Sequence, residues 1–176
     1  MKLHLGCGPK HIPGFVHVDV NRYPHVDYNC PVNKLSFVED ESVELIYASH
    51  VLEHFGRHEV DHVLKEWFRV LQRGGVLRLA VPDFGAVVQR YGETANLAEL
   101  VGLVCGGQRD QYDFHKMVFD EKLLAERLTE AGFSSVSRYD WKTTSHAWMD
   151  DYSQAYLPHL DKEHGLLMSL NVEAVK

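Results

Sequence analysis

Seven short runs with strand character, Lys2–Leu5, Phe15–Val20, Val26–Cys30, Val43–Ala48, Val76–Val81, Val136–Tyr139 and Ser169–Val175, frame this chain, and helical periodicity lies between the later ones. Val60, Val63, Leu64, Trp67, Phe68 and Leu71 recur at three- and four-residue steps and Gly74-Gly75 follow as a stop, which predicts an amphipathic helix before the fifth strand. A second helix is predicted from an N-cap at Asp120, with Leu123, Leu124, Leu128 and Ala131 turned inward and Gly132 ending it. Helices between strands favour a parallel sheet covered on its faces, so the expected fold class is α/β, a three-layer sandwich around a mostly parallel seven-stranded sheet. The first three strands are separated by only about nine and about five residues, too few for full crossover helices. The N-terminal crossovers are therefore shortened, and a patch of sheet there lacks helical cover; the segment from Gly92 to Gln111, or a second subunit, is expected to shield it. Without a repeat or linker, residues 1–176 form a single domain. Residues 84–118 break the alternation and are a candidate substrate cap above the carboxyl ends of the strands, where α/β folds bind ligands.

Charge and composition exclude several partners. Lys and Arg number 18 against 25 Asp and Glu, a net charge of −7, which disfavours a nucleic-acid backbone. No apolar run is long enough to span a bilayer, so no membrane partner is expected. The opening MKLHLGCG lacks the apolar core of a secretion signal, and Cys7, Cys30 and Cys105 are too widely spaced for a disulfide framework. The expected location is cytoplasmic, and a homo-oligomer is left open.

The chemistry concentrates near the start. In LHLGCGP (Leu3–Pro9), Gly6 and Gly8 allow a tight turn and a close approach of backbone N–H groups to a ligand. Asp19 ends the second strand, FVHVDV, where it can accept hydrogen bonds from ribose hydroxyls. A dinucleotide site would continue as GxGxxG, and His11 stands where that glycine is required.

Four segments in order carry a family resemblance. The glycine turn resembles motif I of the class I S-adenosylmethionine-dependent methyltransferases. LSFVEDESVELIYASHVLEHF (Leu35–Phe55) is similar to their loop, fourth strand and following segment, and EWFRVLQRGGVLRLAVPD (Glu66–Asp83) to the next helix, Gly-Gly turn and fifth strand. DFHKMVFDEKLLAERLTEAGF (Asp113–Phe133) and SLNVEAVK (Ser169–Lys176) resemble a compact bacterial subfamily. The resemblance implies an antiparallel last strand and S-adenosylmethionine as cofactor, with S-adenosylhomocysteine as product. It sets Leu5, Gly6, Cys7 and Gly8 under the methionine and ribose portions, Asp19 on the ribose hydroxyls and Val20 against adenine. It puts Asn29 and Cys30 where many relatives present an Asp to the adenine amino group, so Asn29 or backbone groups are expected to serve. Ser49 and His50 would meet the methionine end, and Leu52 would form part of the pocket wall. His4 stands where most relatives carry an acidic residue, and Lys10 where many have a third glycine.

Methyl transfer asks the protein mainly to align nucleophile, methyl carbon and sulfur. A hydroxyl acceptor also needs a proton acceptor, for which His115 in DFHKM is the first candidate and His54 the second. His50, His54, His58 and His62 fall at four-residue intervals, but Gly56 interrupts the run and no cysteine or carboxylate completes a ligand set, so no metal is expected. Trp67 and Phe68 read as helix core, Cys7 as a small turn residue, and Asp150, Asp151 and Glu163 as solvated surface. The activity implied is methyl transfer to a small-molecule or carbohydrate-like acceptor at oxygen, with nitrogen open; relatives are often associated with surface-polysaccharide pathways. The alternative is a non-catalytic module that binds S-adenosylmethionine or S-adenosylhomocysteine and regulates a partner. Methylation of DNA or RNA is disfavoured, since Ala48-Ser49-His50-Val51 stands where the Asn/Asp-Pro-Pro-Tyr sequence would lie.

Overall fold

The computed structural model describes residues 1–176. In chain order the elements are β1 (Lys2–Leu5), β2 (Val16–Asp19), β3 (Tyr28–Asn29), β4 (Val43–Ser49), α1 (Val60–Val70), β5 (Leu71–Pro82), α2 (Phe84–Thr94), α3 (Val101–Cys105), α4 (Glu121–Ala131), β6 (Ser135–Arg138), β7 (Tyr156–Leu157), β8 (Leu166–Leu167) and β9 (Ser169–Val175). The α/β architecture is centred on a seven-stranded sheet of order β3-β2-β1-β4-β5-β9-β6, and β7 and β8 form a separate hairpin. Strands β1 to β5 pair in parallel, and β9 runs antiparallel to both neighbours, β5 and β6. No helix is long and apolar enough to cross a membrane.

Two boundaries differ from the sequence reading for a physical reason. Strand β5 starts at Leu71, directly after α1, because Leu71 already takes extended angles. The Gly74-Gly75 pair is then a turn within the strand: Gly74 sits at φ +73°, its N–H donates to the Lys176 carbonyl, and Lys176 N–H donates to the Gly75 carbonyl. Strand β3 shrinks to two residues, since only Tyr28 and Asn29 reach Val18 and Asp19. Helix α4 follows local chemistry. The Asp120 side chain accepts from Leu123 N–H, and Gly132 at φ +115° lies where a Cβ would come within 2.9 Å of the Phe68 ring.

One face of the sheet is apolar. Leu3, Leu5, Val18, Ile46, Ala48, Leu77, Leu79 and Val81 pack with Val60, Val63, Leu64 and Trp67 of α1 and Leu124 and Leu128 of α4 in a single core. Each fully buried aliphatic side chain there contributes about 1.5–3 kcal/mol. Trp67 is buried and its Nε1–H donates to the Val32 carbonyl at 2.9 Å, which ties α1 to the loop before β4. Trp67→Phe keeps most of the ring volume but strands that carbonyl, so chemical denaturation should show a loss of about 1–3 kcal/mol.

The opposite face is polar, which a sheet of this kind rarely shows on a buried side. Pairing aligns His4 with His17 and Tyr47, and Tyr47 with Arg78, while Arg78 is opposite Glu173. The cover is residues 139–155 rather than Gly92–Gln111. Tyr47 Oη–H donates to Asp151 at 2.5 Å, Arg78 bonds Glu173 at 2.7 Å and lies 5.4 Å from the Tyr139 ring centre, and His146 packs 4.3 Å from the Tyr47 ring. Ile12 and Met149 complete this second core. The 92–111 segment goes elsewhere because its apolar residues have a better partner: Leu100 is buried with Ala86, Val87 and Met168, beside the β7–β8 hairpin. Asp151 is accordingly a structural acceptor and not open surface.

This polar layer makes acid stability specific. Burial, then the neighbouring His17 and His146, push His4 down to about 3, while burial and then Arg78 push His146 down to about 4. An unfolded chain takes up these protons near the ordinary histidine value, so their stabilising contribution is complete above about pH 6.5 and falls as the solution is acidified. For His4 the loss is on the order of 2 kcal/mol at pH 5. Comparing the wild type with His4→Phe cancels the other groups, and the stability difference should move toward the variant by that amount between pH 7 and pH 5.

Candidate active site

The chain leaves β1 for β2 on one side and later returns to β4 on the other, so the sheet opens a crevice at the carboxyl ends of these strands. The turn after β1 is built by backbone bonds. Gly6, at φ +60°, donates its N–H to the Val18 carbonyl at 2.8 Å, and a Cβ there would stand 2.5 Å from Val51 Cγ2. Gly8, at φ +52°, donates its N–H to Asp19 Oδ2 at 2.7 Å, with open space where a Cβ would be. Asn21 N–H donates to Asp19 Oδ1 at 2.7 Å. Asp19 thus fixes the turns after β1 and β2, and each carboxylate oxygen retains acceptor capacity toward the crevice.

Two adjoining clefts share Gly6, Asn21, His50, His54 and Tyr112. The inner, about 310 Å³, has Asp19 and Asn21 on one side and Val20, Val32, Val51 and Phe55 on the other. The wider, about 750 Å³, is lined by the 6–10 turn, Ser49, residues 109–113 and the 150–160 segment. Its walls carry Asp110, Asp113, Asp150 and Asp151 together with the exposed aromatic rings of Tyr112 and Tyr152.

Of the residues singled out in the sequence, Gly6, Cys7, Gly8, Asp19, Val20, Ser49, His50 and His54 line these clefts. The Cys7 thiol is pushed up to about 12 by burial and by Asp19, so it stays protonated and unreactive. Leu5 and Leu52 do not line them, being wholly buried in the apolar core. Cys30 packs against that core, and burial raises its thiol. Asn29 donates its amide to the carbonyls of Asp19 and Val20, which supports the turn from behind. His115 lies beneath the surface of the clefts: its Nδ1 is 2.9 Å from the Leu103 carbonyl and its Nε2 faces Glu53 at 3.9 Å. It is not among the residues that line the clefts, and the loop carrying it is stapled by Lys116 N–H donating to the Glu53 carbonyl at 2.8 Å. Residues 84–118 reach the clefts only through Glu99, Leu103 and positions 109–116.

The residue that sequence reasoning missed is Glu53. It is completely buried, neither carboxyl oxygen has a hydrogen-bond partner, and burial raises it to about 8. The available signal was an acidic residue inside the apolar run HVLEHF. Beside it His50 is held at φ +54°, with its N–H on the Ala80 carbonyl and its Nε2 3.1 Å from Ser169 Oγ; burial and then the charges of His115 and His54 push it down to about 3.

Residues 3–79 match the family described as a methyltransferase domain, a stretch that holds the glycine turn, Asp19 and the whole His50–Phe55 segment. No curated protein matches the sequence. Among solved structures, a SAM-dependent methyltransferase from Archaeoglobus fulgidus superposes with a TM-score of 0.58 at 15% identity, over 99% of this chain and 85% of that one. The 1,6-didemethyltoxoflavin-N1-methyltransferase of Burkholderia thailandensis, solved with bound 1,6-didemethyltoxoflavin and S-adenosylhomocysteine, gives 0.58 at 16% identity, over 99% of this chain and 70% of that one. The Haloferax volcanii complex of the Trm112 methyltransferase activator with a methyltransferase gives 0.59 at 13% identity, over 99% and 81%. The family match thus covers the N-terminal part of the chain, and over its whole length the chain has the fold of solved S-adenosylmethionine-dependent methyltransferases.

Proposed function

We propose that the chain transfers a methyl group from S-adenosylmethionine to a small-molecule or carbohydrate-like acceptor, at an acceptor oxygen. One observation carries the reading: a nucleoside-sized cleft with a carboxylate on one wall and apolar side chains on the other opens into a wider cleft lined by carboxylates and tyrosines. The residues fit the cofactor. Asp19 keeps lone pairs for two ribose hydroxyls, Val20, Val32 and Phe55 offer an apolar bed for adenine, and the missing Cβ of Gly8 leaves room beside the turn. Alternating carboxylates and exposed aromatic faces are the groups that grip a hydroxyl-rich molecule. The charge of −7 and the wide cysteine spacing support a reading without nucleic acid and in the cytoplasm.

S-adenosylmethionine, when bound, supplies a methyl group on a sulfonium and thus its own leaving group. The protein's tasks are to orient and to manage one proton. His54 is the residue we assign to that proton. Its Nδ1 is 3.1 Å from the Phe114 carbonyl, which leaves Nε2 as the lone-pair nitrogen, and its ring lines both clefts. Burial lowers its basicity, so it stands neutral and ready to accept. The test is calorimetric titration with S-adenosylmethionine and S-adenosylhomocysteine, followed by labelled methyl transfer to a panel of polyhydroxylated small molecules. Binding of both and label in an ether product are expected; a protein that binds neither form overturns the proposal.

A further inference from the structure

We propose that Glu53, His54 and His115, with His50 beside them, hold a divalent first-row transition-metal ion of the zinc, iron or manganese class at the floor of the cleft. The candidate ligand atoms of Glu53, His54 and His115 all lie within 4.8 Å of one another. Glu53 is 0% exposed and both of its oxygens lack a partner, a state that costs a buried carboxyl group heavily unless something is meant to fill the space between it and its neighbours. Its Oε1 lies 3.3 Å from His50 Nδ1 and 3.9 Å from His115 Nε2, in neither case with hydrogen-bond geometry. Ligands about 2.0–2.2 Å from one tetrahedral ion stand about 3.4 Å apart, so small side-chain rotations bring the set to coordination distance.

The imidazoles are also oriented as ligands are. His54 and His115 each direct Nδ1 at a backbone carbonyl, at 3.1 Å and 2.9 Å, which fixes the tautomer and leaves the Nε2 lone pair for an ion. His50 directs Nε2 at Ser169 Oγ and turns Nδ1 to the carboxyl side. The position of His115 is held by Gly106, where a Cβ would come within 2.9 Å of its ring. Two or three imidazoles and one carboxylate, without a thiol, suit zinc, iron and manganese rather than a soft ion or calcium. Because His50 and His54 also line the clefts, an open coordination position would face the acceptor. That last point rests on the methyl-transfer reading, whereas the ligand set does not. Ligation and proton acceptance at His54 Nε2 exclude each other: without an ion His54 takes the proton itself, and with one bound the ion would lower the pKa of a coordinated acceptor hydroxyl in its place.

The test titrates Co²⁺ into chelator-treated protein and reads visible ligand-field absorption, with Zn²⁺ as competitor. Saturation at one equivalent is expected, and His115→Gln, His54→Gln and Glu53→Gln should each weaken binding by at least about 100-fold. His58→Gln/His62→Gln, on the exposed stretch of four-spaced histidines, should leave it unchanged. If Glu53→Gln fails to fold, the two histidine variants carry the test. Absence of a saturable band, or a band lost in the His58/His62 variant and kept in the others, overturns the site. Titrating the same samples with S-adenosylhomocysteine separates a failure of the metal site from a failure of the methyltransferase reading.

Discussion

Asp19→Ala is expected to weaken S-adenosylhomocysteine binding by about 10²–10³-fold in calorimetry, which corresponds to about 3–4 kcal/mol. Asp19 is nearly buried, yet both its oxygens are organised by backbone donors, Gly8 N–H and Asn21 N–H, at 2.7 Å each. A ribose bringing two hydroxyls to this carboxylate would make two charge-assisted hydrogen bonds, worth about 1.5–3 kcal/mol apiece. The alanine variant loses these and also releases the two turns that shape the inner cleft. Asp19→Asn keeps one acceptor oxygen and places an amide against a backbone N–H, so an intermediate loss is expected. An affinity for the alanine variant within threefold of wild type would show that the nucleoside does not rest on this carboxylate.

His54→Gln is expected to lower turnover by about 10²–10⁴-fold, the range for loss of a positioned proton acceptor, with S-adenosylhomocysteine affinity unchanged. The ring lines both clefts but makes its one hydrogen bond away from them, to Phe114. The variant also divides the two roles assigned to this imidazole. If His54 accepts the proton directly, added imidazole should restore part of the rate; if it ligates an ion, excess Zn²⁺ or Mn²⁺ should restore it and imidazole should not. Full turnover in the unsupplemented variant would remove His54 from both roles.

Features with local causes are legible in the sequence, and features with distant causes are not. The glycine turn, the carboxylate at the end of β2, the Asp120 cap and the Gly132 stop were all legible, because each is satisfied by partners within a few residues or by its own backbone angles. The seven strands were legible for the same reason, with boundaries shifted most where Gly74 and Gly75 bond to the far end of the chain and where only Tyr28 and Asn29 reach β2. Residue type and place after the cap point to His115 as a proton acceptor, while the contacts of its ring and loop are set by the Leu103 carbonyl and by the staple to Glu53.

From the sequence alone came the seven strands of the main sheet, helices α1 and α4, the glycine turn and the shortened crossovers, since hydrophobic period and turn chemistry act between near neighbours; α2, α3 and the β7–β8 hairpin did not. Tertiary structure alone decided which segment closes the polar face of the sheet: Tyr47 meets Asp151 across 104 residues, and nothing near Tyr47 in sequence announces that partner. It likewise decided that Glu53 and His115 share one buried space. Burial and the absence of a hydrogen-bond partner are properties of packed neighbours, and they come into being only when distant segments meet.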